Sequence, residues 1–224
     1  MPHLTLIGSL TSPYVRKIRI MLTEKKLPYD WILDDVWGQN PHVAAHNPLA
    51  QVPCLLIDKK DAVIDSRVIA EYLELLAPMH LPSEPMQRIE ALKWAALTDG
   101  LMDAAAKYRV EQLRPGALQW PDWLTRQRGK LHAGLSVIET QLATHPWLAN
   151  DAYSVADIGL MCVLNFIDFR QPDYAWREAF PQCREARSAH NPHPPRYCLR
   201  QGTSAGCRAQ FHAAGRWPAA HATD

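Results

Sequence analysis

Every apolar pattern with the two-residue alternation of a strand lies before Pro78. From Met86 onward the apolar residues of this 224-residue chain recur only at helical spacing. That division reads as a small α/β unit followed by an all-helical one. In the first part, His3 to Gly8 sets Leu4 and Leu6 on one face and Ile7 on the other, a short buried strand closed by glycine. Thr11-Ser12-Pro13 then offers a hydroxyl at a helix N-cap and a proline at the first helical position. Val15, Ile18, Met21 and Leu22 recur on one helical face, with Arg16, Lys17, Arg19 and Lys25 on others. Pro28 ends the helix, and Tyr29, Trp31 and Leu33 alternate as a second strand. A loop from Gly38 to Pro48 leads to Val52–Ile57, an apolar run with Pro53 near its start. The turn Asp58–Asp61 and a short return strand, Ala62–Ile64, complete a hairpin. Asp65-Ser66 caps a helix whose apolar face is Val68, Ile69, Tyr72, Leu73 and Leu76.

Pro78, Pro82 and Pro85 mark a linker. Beyond it, long helices are expected over Met86–Leu113 and Pro121–Ala143, parted by Arg114-Pro115-Gly116. Ser154-Val155-Ala156-Asp157 is a capping box in its Asp form, with Tyr153 and Ile158 placed as a hydrophobic staple. The helix it starts is apolar almost all round and belongs at the centre of the second unit. The character changes after Gln182. Residues 183–224 hold nine alanines and six arginines but no Ile, Val, Met or Lys, too little apolar surface to offset their ordering entropy. A disordered tail and a shifted reading frame both fit that break.

Composition excludes several classes. A net charge of +1, with no block of like charge, gives no electrostatic reason for nucleic acid or an anionic membrane as partner. No apolar run is long enough to span a bilayer, and Met1–Gly8 lacks the plan of a signal peptide, so a cytoplasmic location is expected. The five cysteines form neither a C-x-x-C pair nor a zinc spacing. His46, His145 and the histidines of the tail likewise show no metal spacing and read as surface.

Four motifs in order carry a resemblance. They are Thr11-Ser12-Pro13-Tyr14-Val15-Arg16-Lys17; Asn47-Pro48-Leu49-Ala50-Gln51-Val52-Pro53-Cys54-Leu55; Asp65-Ser66 with Ile69 and Glu71-Tyr72-Leu73; and Ser154–Asp157. Together they resemble the glutathione S-transferase superfamily, among its serine-type bacterial and zeta-like members and the YibF-like subgroup. The likeness covers residues 3 to about 182, and nothing beyond Gln182 matches the family's closing helices. It implies a thioredoxin-like glutathione-binding domain over 1–77, a linker over 78–85 and an all-α substrate domain over 86–182, with 183–224 atypical. It also implies glutathione as cosubstrate without a metal, a small hydrophobic electrophile as second substrate, and a homodimer.

Each motif residue has a structural reading beside the functional one. Ser12 is an N-cap by position; the resemblance implies that its hydroxyl also donates to the glutathione sulfur, at a helix end that favours a thiolate. A cysteine there would suggest thiol exchange, whereas serine argues for activation. Tyr14 reads as a packing residue. Pro53 argues against a central strand. As the family's cis-proline it would leave the Val52 N–H and C=O free, at a sheet edge, for the cysteinyl backbone. Cys54 reads as a buried apolar residue. Asp65 and Ser66 cap their helix; the resemblance implies that Ser66 takes the γ-glutamyl carboxylate and Asp65 its ammonium. Gln51, His42 and Asn40 are candidates for the glycyl carboxylate. Met102, Tyr108 and Arg109 lie where the family lines its hydrophobic site. Asp157 is a structural cap. The function implied is attack of an activated glutathione thiol on an electrophile. The alternative is a non-catalytic interaction or chaperone module on the same fold, like stringent-starvation-type proteins.

Overall fold

Strand β1 (Leu4–Gly8) is buried along its whole length because both of its faces are covered. Leu4 and Leu6 enter the main core beside Ile18, Leu55 and Ile69, while Ile7 joins Val43, Cys54 and Leu56 in a smaller cluster on the other side. The computed structural model describes residues 1–39 and 41–189. In it β1 pairs in parallel with β2 (Asp30–Leu33) and antiparallel with β3 (Cys54–Ile57), which pairs antiparallel with β4 (Asp61–Val63). The order is β2-β1-β3-β4, with Leu6 in register with both Trp31 and Leu55. Helices α1 (Pro13–Glu24) and α2 (Ser66–Leu76) pack on the face that carries Leu4 and Leu6. Residues 77–84 form neither helix nor strand.

The second unit is helical. Helix α3 (Pro85–Gln112) packs against α4 (Pro121–Leu142) and α5 (Val155–Arg170). The capping box at the start of α5 is complete. The Ser154 N–H and hydroxyl both donate to one Asp157 oxygen at 2.9 Å, and the Ala156 N–H donates back to Ser154 Oγ at 3.3 Å. The second Asp157 oxygen accepts from the Leu148 N–H at 3.0 Å, so this acid is a structural cap. Glycine at position 159 lets α5 approach α3 closely: a Cβ there would lie 2.3 Å from Thr98 Oγ1. Among the described residues no helix is long and apolar enough to cross a membrane.

The chain does not leave the helical unit at Gln182. Helices α6 (Trp176–Ala179) and α7 (Pro181–Ala189) follow, with Trp176, Phe180 and Cys183 buried. The Glu139 carboxylate takes the first N–H groups of α7, from Gln182 at 2.7 Å and Cys183 at 2.9 Å. The expected break at residue 183 is therefore too early. A cap supplied from 43 residues upstream is invisible to local composition. Residues 190–224, where the rest of that expectation falls, lie outside the described residues.

A second correction concerns two lysines of the first unit that the helical pattern set on outer faces. Lys17 and Lys25 are buried at 1% and 7% exposure. Lys25 donates to Glu74 and to the carbonyl of Ala77. Around that pair the linker is pinned. Glu74 accepts the N–H groups of Met79 and His80, the His80 ring meets Glu24 at 2.7 Å, and Val155 N–H donates to the His80 carbonyl at 3.0 Å. Burial pushes the Glu74 carboxyl up, but its hydrogen bonds outweigh that and hold it at about 2. Lys17 reaches across the two units to Asp99 on α3, Nζ to Oδ1 2.7 Å, with both side chains almost fully buried. Lys17→Met strands that carboxylate and should cost about 3–5 kcal/mol in urea unfolding, whereas pairing it with Asp99→Leu should restore much of the loss. Equal stability of parent and single variant would show that water reaches the acid.

Candidate functional site

Two helices of the first unit aim their N-termini into one cleft between the units. The cleft encloses about 1210 Å³. Helix α1 brings Thr11, Ser12 and Tyr14 to it, and α2 brings Asp65, Ser66 and Arg67. At each end the first N–H groups carry partial positive charge, so the floor of the cleft favours an anion. Ser12 Oγ accepts from Val15 N–H at 3.3 Å, a long cap bond that leaves the hydroxyl proton uncommitted. Ser66 is 4% exposed. Asp65 accepts from the Arg67 N–H at 2.8 Å and from its guanidinium at 3.0 Å. Burial is the largest single influence and raises its carboxyl, but the hydrogen bonds and charge of Arg67 together outweigh it and hold the group below the usual carboxylate range.

Between these helix ends runs Gln51-Val52-Pro53, which also lines the cleft. The Val52–Pro53 bond is cis, and β3 starts only at Cys54. Val52 therefore stands outside the ladder, at the mouth end of an interior strand rather than at a sheet edge as the sequence led one to expect. Cys54 itself is fully buried, and burial pushes its thiol up to about 11.

The far wall is helical. Asp99, Asp103, Ala106 and Val110 recur along the face of α3 that looks into the cleft, flanked by Lys107 and Arg109; Phe166 and Arg170 of α5 join them. Tyr14 bridges the walls by donating its hydroxyl to Asp103. Burial and that hydrogen bond push its pKa far upward, so its proton is committed and it is more than the packing residue expected.

The structure thus brings together Ser12, Gln51, Val52, Pro53, Asp65, Ser66 and Arg109. Met102 and Tyr108 do not reach the cleft. Met102 is fully buried in the core, and Tyr108 turns toward α4, where Arg128 lies over its ring at 4.7 Å. Because α3 is packed on several sides, apolar spacing did not reveal which face lines the cleft. His42 is absent from the lining; its backbone N–H donates to Asp34. Asn40 lies outside the described residues. Sequence reasoning missed Arg67, Asp103 and Arg170, and also Trp37 and Leu49 on the loops. Asp65 and Arg67, two apart at a helix start, were the one local signal available.

Comparison with known proteins agrees with this fold. Residues 11–76 match the glutathione S-transferase N-terminal domain and residues 121–186 the glutathione S-transferase C-terminal domain. The chain belongs to the glutathione S-transferase family. It is 39% identical over 173 residues to an uncharacterized GST-like protein, YibF, of Escherichia coli, covering 76% of this chain and 85% of that one. Among solved structures, a glutathione S-transferase from Methylobacillus flagellatus with glutathione bound aligns with a TM-score of 0.82 and 31% identity, over 86% of this chain and 96% of that chain. A glutathione transferase family member from Pseudomonas fluorescens Pf-5, with bound S-(propanoic acid)-glutathione, aligns with a TM-score of 0.71 and 33% identity over the same shares. The fold is that of the family: a small mixed-sheet domain followed by a helical one.

In this family member Cys54 follows directly on the cleft-lining Pro53, and its burial makes it a poor nucleophile. Iodoacetamide at pH 8 should leave it unlabelled in the folded protein and label it after denaturation, as read by peptide mass spectrometry. Fast labelling of the native protein would show that the cleft opens onto this thiol.

Proposed function

We propose that this chain is a working glutathione transferase, one that lowers the pKa of the glutathione thiol and directs the thiolate at a small electrophile with apolar parts. The observation that carries this reading is convergence. Ser12, Val52-Pro53 and Asp65-Ser66 come from three separate segments and meet in one cleft, where two helix N-termini converge. A pure interaction module has no need of the whole set. Ser12 is the activating residue: its hydroxyl donates to the sulfur, and the end of α1 adds positive potential. Tyr14 is the obvious rival donor, but its proton goes to Asp103. Val52 offers its backbone to the cysteinyl unit, Ser66 and the α2 N-terminus take the γ-glutamyl carboxylate, and Asp65 holds the ammonium. Gln51 is the remaining candidate for the glycyl carboxylate. Val110, Leu113 and Phe166 give the electrophile an apolar wall. Reactions open to such a site are conjugation of a halogenated or unsaturated electrophile, peroxide reduction, and isomerisation through a transient adduct, all suited to detoxification in the cytoplasm. The bound glutathione in the Methylobacillus flagellatus relative supports the choice of cosubstrate.

Binding and activation are separable in this scheme. Ser12→Ala should raise the pKa of bound glutathione by roughly one to two units and slow conjugation, while affinity stays close to that of the parent. Ser66→Ala should do the reverse, weakening affinity by about 1.5–3 kcal/mol with the thiol pKa unmoved. Thiolate absorbance against pH reads the first and calorimetry the second, after a check that neither substitution, the loss of the Ser12 cap above all, has unfolded the protein. If both variants behave as the parent, Ser12 only caps α1 and Ser66 only begins α2.

A two-fold dimer accompanies this reading. Leu75 on α2 and Met86 and Ile89 at the start of α3 are large apolar side chains left exposed, as an isologous contact requires. Sedimentation at micromolar concentration should give twice the chain mass, and a clean monomer would count against it.

A further inference from the structure

Among the described residues the helical end of the cleft carries cations without counter-charges. Arg109 sits in the last turn of α3 and Arg170 in the last turn of α5, and both line the cleft. The end of α5 lies beside α3 two turns before the end of α3, where Gln171 Nε2 reaches the carbonyl of Ala105 at 3.5 Å. Neither guanidinium has a carboxylate within ion-pair distance among the described residues, and Arg170 Nε is buried with no hydrogen-bond partner there. Nearby arginines behave otherwise. Arg128 pairs with Asp173 at 2.9 Å, and Arg177 and Arg187 both pair with Asp168. The acids of the cleft are already engaged: Asp65 by Arg67, Asp99 by Lys17, and Asp103 by the Tyr14 hydroxyl.

The helix dipoles do not settle this charge. Two C-termini supply about half a negative charge each, against two full positive charges, and Lys107 adds a third on the same wall. Burial lowers the Arg170 pKa to about 10 and repulsion from Arg109 contributes, which marks the pair as mutually unfavourable. An anion would relieve it.

Position tells which anion. Arg109 lies six residues beyond Asp103, about 9 Å along α3 at 1.5 Å per residue. Asp103 and Asp99 face Arg67 and the start of α2, where the γ-glutamyl group belongs. The arginines are therefore at the other end, beside the apolar wall. We propose that Arg109 and Arg170 form an anion subsite for the second substrate, so that this enzyme prefers electrophiles carrying a carboxylate. The inference rests on the transferase reading above and names the substrate class of that site.

The test compares two glutathione conjugates that differ only in charge, S-(2-carboxyethyl)glutathione and its carboxamide, with glutathione itself as reference. Calorimetry on the parent at low salt should show the carboxylate conjugate bound about tenfold tighter or more, as a charge-assisted hydrogen bond allows. Added salt should shrink that preference, and the double variant Arg109→Gln/Arg170→Gln should abolish it. Equal binding of the two conjugates to a parent that holds glutathione overturns the subsite and leaves the transferase reading intact. So does a preference that survives the double variant. A double variant that loses glutathione itself reassigns the arginines to the tripeptide, which also overturns the proposal. A parent that binds none of the three ligands removes the transferase reading first.

Discussion

The ammonium of Lys17, buried against Asp99, ties the two units of this chain together within an apolar core that runs through both. It has a companion. Tyr14 and Lys17 are one turn apart on α1, Asp99 and Asp103 one turn apart on α3, and the contacts run Tyr14 to Asp103 and Lys17 to Asp99. The two helices therefore run antiparallel, bridged by side chains along a polar seam, while α1 packs directly on α5. A hydrophobic seam would hold the units together across a range of offsets. A buried ion pair tolerates few, because a charge moved away from its partner is left desolvated. Ser12 lies two residues before Tyr14, so the same register sets which turn of α3 stands opposite it. The geometry of the cleft follows from that alignment.

Most of the first unit was legible because its signals are local. Caps, prolines and two-residue alternation lie within a few positions of the structure they cause. Ser12, Asp65 and Ser154 each sit at the helix start that their side chains announced. The seam was not legible. Lys17 and Asp99 are 82 residues apart, and a lysine on a helix reads as solvated until its partner is known. The same limit hid the cap that Glu139 gives to α7 and the want of a carboxylate beside Arg170 among the described residues. Met102 and Tyr108 failed for another reason: α3 is covered on several faces, so periodicity found a helix without revealing which side was left open.

The cleft divides its work by segment. The groups suited to holding a tripeptide and tuning its thiol come from the first 67 residues, and those that would meet a second substrate come from α3 and α5. Neither wall alone makes a site. The seam joins them, and Tyr14, Asp99 and Asp103 of that seam themselves line the cleft. Charge and shape on the α3 wall can change without disturbing the thiol end, provided Asp99 and Asp103 keep their places.

The close crossing at Gly159 gives that proviso a mechanical form. A Cβ there would strike Thr98, the residue next to Asp99. Helix α3 is a stiff rod, and Leu113 at the far end of the wall is about 22 Å further along it. A small wedge at the crossing acts as a fulcrum, and the distal wall swings through an arc in proportion to its distance. The hydrogen atom that serves as side chain at position 159 therefore works as an alignment shim, setting from a distance where the α3 wall of the cleft stands.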